Sequence, residues 1–161
     1  MTNAEPGFRR ATKNDLPSLE VFLAANERPV SGVADQLERF WLAVRGEQII
    51  GSAGVEQYGM VALLRSVAVA PDERNQGIGK ALITRVVQDA RGAKVTDLYL
   101  LTTHADRYFA RIGFRILSRS DAPKALWASA EFQGACPETA TLMRLPVIAA
   151  QSELQNPPSG S

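Results

Sequence analysis

The chain predicts a mixed α/β domain, a mixed β-sheet with helices packed on its faces. Three observations carry this. Strand-sized apolar runs and amphipathic helical stretches follow one another as β-α-(α)-β-β-β-α-β-α-β-…-β, mixed but not strictly alternating. The middle strands are joined by short Gly-containing turns, which make hairpins and exclude a purely doubly wound parallel sheet. The 161 residues, 45% apolar and 22% charged, supply one core of ordinary globular composition.

The elements are justified in chain order. Phe8 to Ala11 reads as a first strand. Thr12 offers an N-cap with Asp15 as a capping-box acid, and Leu16, Leu19, Val21, Phe22 and Leu23 form a helical stripe running to Asn26. Ser31 to Leu37 is a shorter helix. Phe40 to Val44 and Gln48 to Glu56 form a hairpin around Gly46-Glu47, and Tyr58-Gly59 turns again into a long strand from Met60 to Ala70, ended by Pro71. Gly77 to Arg91 is the clearest helix, with Ile78, Ala81, Leu82, Arg85, Val86 and Asp89 on or near one face and Gly92 as its stop. Asp97 to Thr102 is a buried strand, His104 to Arg111 a short helix closed by Gly113, and Phe114 to Leu117 another strand. Ser118 to Pro137 is irregular with a helix around Lys124 to Ala130, and Thr139 to Leu145 is the last strand.

Charge and composition narrow the function. Formal net charge is +1 and the basic residues are scattered, which argues against nucleic acid and anionic membranes as partners. The one cysteine, Cys136, cannot form an internal disulfide, and no Cys/His cluster has zinc spacing, so no metal is expected and a cytoplasmic location is. Met1 to Arg10 is too polar for a signal peptide or a membrane span. One domain over residues 1–145 is expected, followed by a flexible tail over 146–161 that ends Gln-Asn-Pro-Pro-Ser-Gly-Ser.

The informative motif is Arg74-Asn75-Gln76-Gly77-Ile78-Gly79, between a strand and an amphipathic helix. A helix N-terminus presents N–H groups without intrahelical acceptors, together with the positive end of the helix dipole. Glycines let a phosphate approach the backbone, and Arg74 and Lys80 add mobile positive charge, so the segment reads as a diphosphate cradle. It is not a Walker A loop, because Ala81 follows Lys80, nor a dinucleotide fingerprint, because Leu82 stands where a small residue is required.

Val67-Ala68-Val69-Ala70-Pro71, the Arg74-x-x-Gly77-x-Gly79 loop, and the short helix ending in Gly113-Phe114 together resemble the GNAT acyltransferases, over roughly Phe8 to Leu145. The resemblance implies a mixed twisted sheet of about six to seven strands with helices on both faces, acetyl-CoA as co-substrate, no metal, and a homodimer. It also implies that main-chain groups of Val67, Ala68 and Val69 hold the pantetheine arm like an added strand, and that N–H groups of Asn75, Gln76, Gly77, Ile78, Gly79 and Lys80 hold the diphosphate. Where many family members carry a tyrosine that protonates the leaving thiolate, this chain has Phe109, left as a packing surface for the coenzyme; Tyr108 points about 100° away around the helix.

Leu63-Leu64-Arg65-Ser66, Leu100-Leu101-Thr102-Thr103 and Glu131-Phe132-Gln133-Gly134-Ala135-Cys136-Pro137 are similar to the small GNAT proteins of bacterial arsenic-resistance operons and to the acetyltransferase domain of N-acetylglutamate synthases. Both imply a glutamate-like amino-acid acceptor, arsinothricin and phosphinothricin included. Arg65 is the candidate fork for the acceptor carboxylate, with Ser66 and Thr103 as hydroxyl contacts. Direct acetyl transfer needs a base and an oxyanion donor: Glu56 is the leading base, His104 a second, and the Val67 N–H the implied donor. Cys136 reads as a small buried apolar residue, and Trp41, Trp127, Tyr58 and Phe132 as core or acceptor pocket. N-acetylglutamate synthase-like activity, another small amine as acceptor, or a non-catalytic CoA-binding sensor are the alternatives.

Overall fold

The structure is a computed structural model that describes residues 5–147. Seven strands form one mixed open sheet: β1 (Gly7–Arg10), β2 (Phe40–Arg45), β3 (Gln48–Tyr58), β4 (Val61–Val69), β5 (Asp97–Thr102), β6 (Arg115–Leu117) and β7 (Thr141–Pro146), in the order β1-β2-β3-β4-β5-β7-β6. Three α-helices accompany them: α1 (Leu16–Ala25), α2 (Ile78–Gly92) and α3 (Asp106–Ile112). The described residues cluster into two compact units, 5–55 with 65–86 and 56–64 with 87–147.

In the first unit β1 pairs antiparallel with β2, and β2 with β3 across Arg45↔Gln48, where Gly46 takes φ 64° in the two-residue turn. The capping box forms: the Thr12 N–H donates to Asp15 Oδ2 at 2.7 Å, and Arg9 pairs with the same carboxylate at 2.7 and 2.8 Å. These bonds, the Arg9 ion pair first, hold the Asp15 carboxyl well below the usual carboxylate range. Leu19 and Leu23 of α1 are fully buried with Val33, Phe40 and Leu42. Val21 does not join them; it is 72% exposed, because it lies on the far side of the face set by residues 19 and 23.

Two glycines of β3 set how closely the layers approach. A Cβ on Gly51 would lie 3.0 Å from Leu82 and 3.1 Å from Ile78, so α2 packs directly on the strand. A Cβ on Gly54 would lie 2.4 Å from the ring of Phe40, its cross-strand partner. The buried face of α2 differs from the predicted one. Ile78, Leu82, Ile83, Val86, Val87 and Ala90 are buried, while Arg85 lies 4.2 Å from the Phe8 ring centroid. The guanidinium sits over the ring, a cation–π contact at the aromatic edge of the sheet.

In the second unit β4 and β5 pair in parallel through the first three residues of each, from Val61↔Asp97 to Leu63↔Tyr99. β5 and β6 both pair antiparallel with β7. Leu63, Tyr99, Leu126, Phe132 and Leu142 form this unit's core. The last strand runs through Pro146, and the Val147 N–H donates to Thr96 at 3.0 Å; the rest of the expected tail lies outside the described residues. The predicted helix around Lys124 to Ala130 is instead a 3-10 segment, Lys124–Ala128, followed by a wide turn at Glu131–Ala135. Ser31 to Leu37 likewise becomes a kinked 3-10 segment, Val33–Arg39, entered through Gly32 at φ 82°.

Gly92 is the last residue of α2, not the residue that stops it. The stop is Lys94 at φ 67°, with Lys94 N–H bonded to Arg91 and Val95 N–H to Ala90, the double closure of a Schellman motif. Among the described residues no helix is long and apolar enough to cross a membrane, and no group of three His, Cys, Asp or Glu is placed to hold a metal ion.

Two stability changes of opposite sign are expected from chemical denaturation. Lys94→Gly removes the left-handed penalty and stabilises by about 0.5–1 kcal/mol. Gly54→Ala drives a methyl into the Phe40 ring and destabilises by about 2–3 kcal/mol.

Candidate functional site

The middle of β4 is the first unusual place. Residues 62 to 66 are buried without alternation, and Ser66 takes φ 58° inside the strand. A non-glycine residue held there costs about 1–3 kcal/mol and persists only where neighbours impose it. Two neighbours do: Ser52 Oγ donates to the Ser66 carbonyl at 2.6 Å, and Arg65 Nε donates to Ser66 Oγ at 3.1 Å. Arg65 is 3% exposed, and its Nη2 donates to the Pro29 carbonyl at 3.0 Å. The candidate carboxylate fork is thus a buried, oriented guanidinium and not a surface residue.

The turn at Ser66 leads into Val67-Ala68-Val69. Arg28 Nε donates to the Val67 carbonyl at 2.9 Å and Arg74 Nε to the Val69 carbonyl at 3.3 Å. Arg28 was not foreseen; an arginine beyond the C-terminus of a helix gives no signal of which carbonyl it will reach.

The loop after β4 is braced and then opened. The Ala70 N–H bonds Ile50 at 2.8 Å, and Pro71–Glu73 makes one 3-10 turn. Arg45 of β2 grips Glu73 through Nη2 at 2.8 Å and Nε at 3.1 Å, and Gln76 Nε2 reaches the same carboxylate at 3.3 Å. The arginine hydrogen bonds lower the Glu73 pKa and raise that of Arg45. Asn75 and Gly77 then take φ 68° and 76°. Gly77 caps α2: its carbonyl accepts from Ala81 at 3.0 Å, which leaves the N–H groups of Ile78, Gly79 and Lys80 without intrahelical acceptors. A Cβ on Gly77 would meet nothing within 4 Å, so its backbone angle, not crowding, requires the glycine and the space outside it is open. Arg74, Asn75, Gln76 and Lys80 are exposed, while the Ile78 side chain is buried and anchors the helix start. The segment is an ordered, cationic cradle of N–H donors suited to a phosphate-bearing ligand.

In the second unit Glu56 is not a solvated turn residue. It lies inside β3, 3% exposed. Ser129 Oγ donates to Glu56 Oε1, and the Glu131 N–H donates to Ser129 Oγ at 3.2 Å. Ser129 and the Glu131 side chain are buried as well. Ser129 was missed in the sequence, although the segment that follows it had already stood out there. Thr103 and His104 are exposed; the capping hydroxyl is that of Thr102, whose Oγ1 accepts from the Ala105 N–H at 3.0 Å. Phe109 is buried edge-on against Phe114 and Tyr108, with centroids 5.7 and 5.2 Å apart. Burial pushes the Tyr108 hydroxyl up, opposed in part by Arg111. Cys136 is half-buried, and Trp127 is exposed and tilted against Phe132 at 5.3 Å.

Comparison with known proteins agrees with the architecture. The acetyltransferase (GNAT) domain model matches residues 36–116, half of the chain. An uncharacterised N-acetyltransferase of Chlorobaculum tepidum is 26% identical over 102 residues, covering 63% of this chain and 65% of its own length. An amino-acid acetyltransferase of Mannheimia succiniciproducens is 31% identical over 126 residues, covering 73% of this chain but only 29% of its own length. The crystal structure of N-acetylglutamate synthase from Neisseria gonorrhoeae, complexed with coenzyme A and N-acetyl-glutamate, superposes with a TM-score of 0.76 at 19% identity, over 91% of this chain and 36% of that one. The chain therefore spans less than two thirds of the length of each.

The lock on Ser66 is testable by stability. Ser52→Ala leaves the buried Ser66 carbonyl without its hydroxyl donor and is expected to cost about 1–3 kcal/mol in urea unfolding. An unchanged midpoint would show that Ser52 does not hold the turn.

Proposed function

Because the chain belongs to the acetyltransferase (GNAT) domain family, we propose that it transfers the acetyl group of acetyl-CoA to the amine of a small, glutamate-like amino acid. The observation that carries this reading is the cradle at α2: Asn75 and Gly77 in left-handed conformations, followed by the N–H groups of Ile78, Gly79 and Lys80, which have no intrahelical acceptor, with Arg74 and Lys80 beside them. It fits a diphosphate, and the room outside Gly77 fits its approach. The similarity to proteins named amino-acid acetyltransferases supports an amino-acid acceptor.

In this reading the main-chain groups of Val67, Ala68 and Val69 hold the pantetheine arm, and the N–H groups from Asn75 to Lys80 hold the diphosphate. The Val67 N–H follows the strained Ser66 and donates to the oxyanion that develops when the amine attacks the thioester carbonyl. Glu56 takes the proton of the incoming ammonium, as a carboxylate already oriented by Ser129. Arg65 is oriented on Pro29 and Ser66 and pairs with the acceptor carboxylate, with Ser66 and Thr103 contributing hydroxyls. Phe109, packed against Phe114, is the candidate packing surface for the coenzyme. The leaving thiolate needs no protein acid, since thiols ionise near pH ~8.5. The same proposal takes residues 1–145 as one acetyltransferase domain with a tail over 146–161, acting in the cytoplasm as a homodimer. The similarity of its motifs to arsenic-resistance proteins makes arsinothricin and phosphinothricin the first acceptors to try.

The test is CoA release, followed with a thiol reagent, over glutamate, phosphinothricin, arsinothricin, aspartate, spermidine and an aminoglycoside. Turnover is expected on the glutamate-like acids alone. Arg65→Lys keeps the charge but loses the fork, and is expected to raise the acceptor KM by about tenfold or more. Glu56→Gln is expected to lower kcat by about a hundredfold. Turnover only on polyamines or aminoglycosides, or coenzyme binding without turnover, would sink the amino-acid reading.

A further inference from the structure

Ser129 comes from a segment far from Glu56 in sequence, yet both are buried and joined by a hydrogen bond. The direction of that bond follows from what each group can give: a carboxylate oxygen only accepts, so the Ser129 hydroxyl donates. A serine hydroxyl has one proton to give. The Glu131 N–H can only donate, and it lies 3.2 Å from Ser129 Oγ, so it takes one of the oxygen's lone pairs. The Ser129 hydroxyl thus accepts from one backbone donor and gives its proton to Glu56 Oε1. The backbone turn that makes this possible is local. Phe132 and Gln133 N–H groups both bond the Ser129 carbonyl, at 3.0 and 3.1 Å, and Ala135 and Cys136 N–H groups bond Ala130 and Glu131 at 3.0 and 3.2 Å. The last two are i→i+5 bonds, which make a wide turn of the kind found at functional sites. The turn is held from outside as well: Arg119 Nη1 donates to the carbonyls of Pro137, Glu138 and Ala140 at 2.9 to 3.3 Å, and its guanidinium lies 5.3 Å from the Phe132 ring centroid.

We infer that Ser129 is a positioning residue for acetyl transfer, fixing the rotamer of the Glu56 carboxylate through a relay that runs from the Glu131 N–H through the Ser129 hydroxyl to Glu56 Oε1. This rests on the reading of Glu56 as the base. The relay acts on the carboxylate alone: it orders a side chain with three rotatable bonds inside a strand, and so narrows the position of the group that must meet the amine. It has no part in holding the coenzyme.

The test is a mutant cycle in the full chain with the best acceptor of the panel. Ser129→Ala is expected to lower kcat by about tenfold and leave the acetyl-CoA KM unchanged. In a Glu56→Gln background the same change is expected to cost nothing further, because the group it orients is gone. The carboxyl carbon resonance of Glu56, assigned in carbon-13 glutamate-labelled protein by its absence from Glu56→Gln, is expected to move in Ser129→Ala. An equal loss of kcat in both backgrounds, or an unmoved Glu56 resonance, overturns the inference. A Glu56→Gln protein as active as wild type overturns it too, while the acetyltransferase reading stands. No turnover on any amine sinks that reading instead, and the resonance alone then decides whether Ser129 holds Glu56.

Discussion

The bond from Ser52 to the Ser66 carbonyl is the constraint on which the rest of the candidate coenzyme site depends. A strand with a left-handed residue in its middle is a contradiction in local preference, since a hydroxymethyl side chain gains nothing from positive φ. Ser52 bonds its carbonyl and Arg65 its hydroxyl in that conformation. The result is a strand whose main chain takes a left-handed turn at one point, just before Val67-Ala68-Val69. Arg28 on the Val67 carbonyl and Ala70 on Ile50 continue the same arrangement, fixing each end of that stretch to the first unit.

Most of the fold was legible in the sequence, because it is written in periodicity and punctuation. The capping box at Thr12, the Gly46 turn and the Gly-x-Gly entry to α2 all stand where the residues place them. What was not legible has physical causes. Lys94 closes α2 although Gly92 looks better suited, because the last turn of α2 and the double closure carry the chain two residues further. The stripe on α2 was read with Arg85 and Asp89 in it, since polar residues with long stems can border an apolar face. Segments Val33–Arg39 and Lys124–Ala128 are too short for periodicity to separate a 3-10 turn from an α-helix.

The candidate site divides in the same way. The cradle was visible, because glycine at positive φ and exposed cations near a helix start are properties of contiguous sequence. The surroundings of Glu56 were not, because Ser129 reaches it from 73 residues away in the chain, and nothing local marks a serine as a partner for a distant carboxylate. Arg65 reads in the sequence as a ligand-facing fork; its bonds to the Pro29 carbonyl and the Ser66 hydroxyl show that a charged residue in a central strand is also anchored by its own protein.

The Arg45–Glu73–Gln76 brace has a consequence for energetics rather than for contacts. It ties the loop ahead of α2 to the end of β2, so the loop's conformational entropy is surrendered when the chain folds and not when an anion arrives. An anion that lands on the cradle meets donors that are already ordered, and its attraction goes into affinity with little spent on rearrangement. Such a ligand would raise the melting temperature with the logarithm of its concentration above Kd while leaving the surface exposed on unfolding almost unchanged.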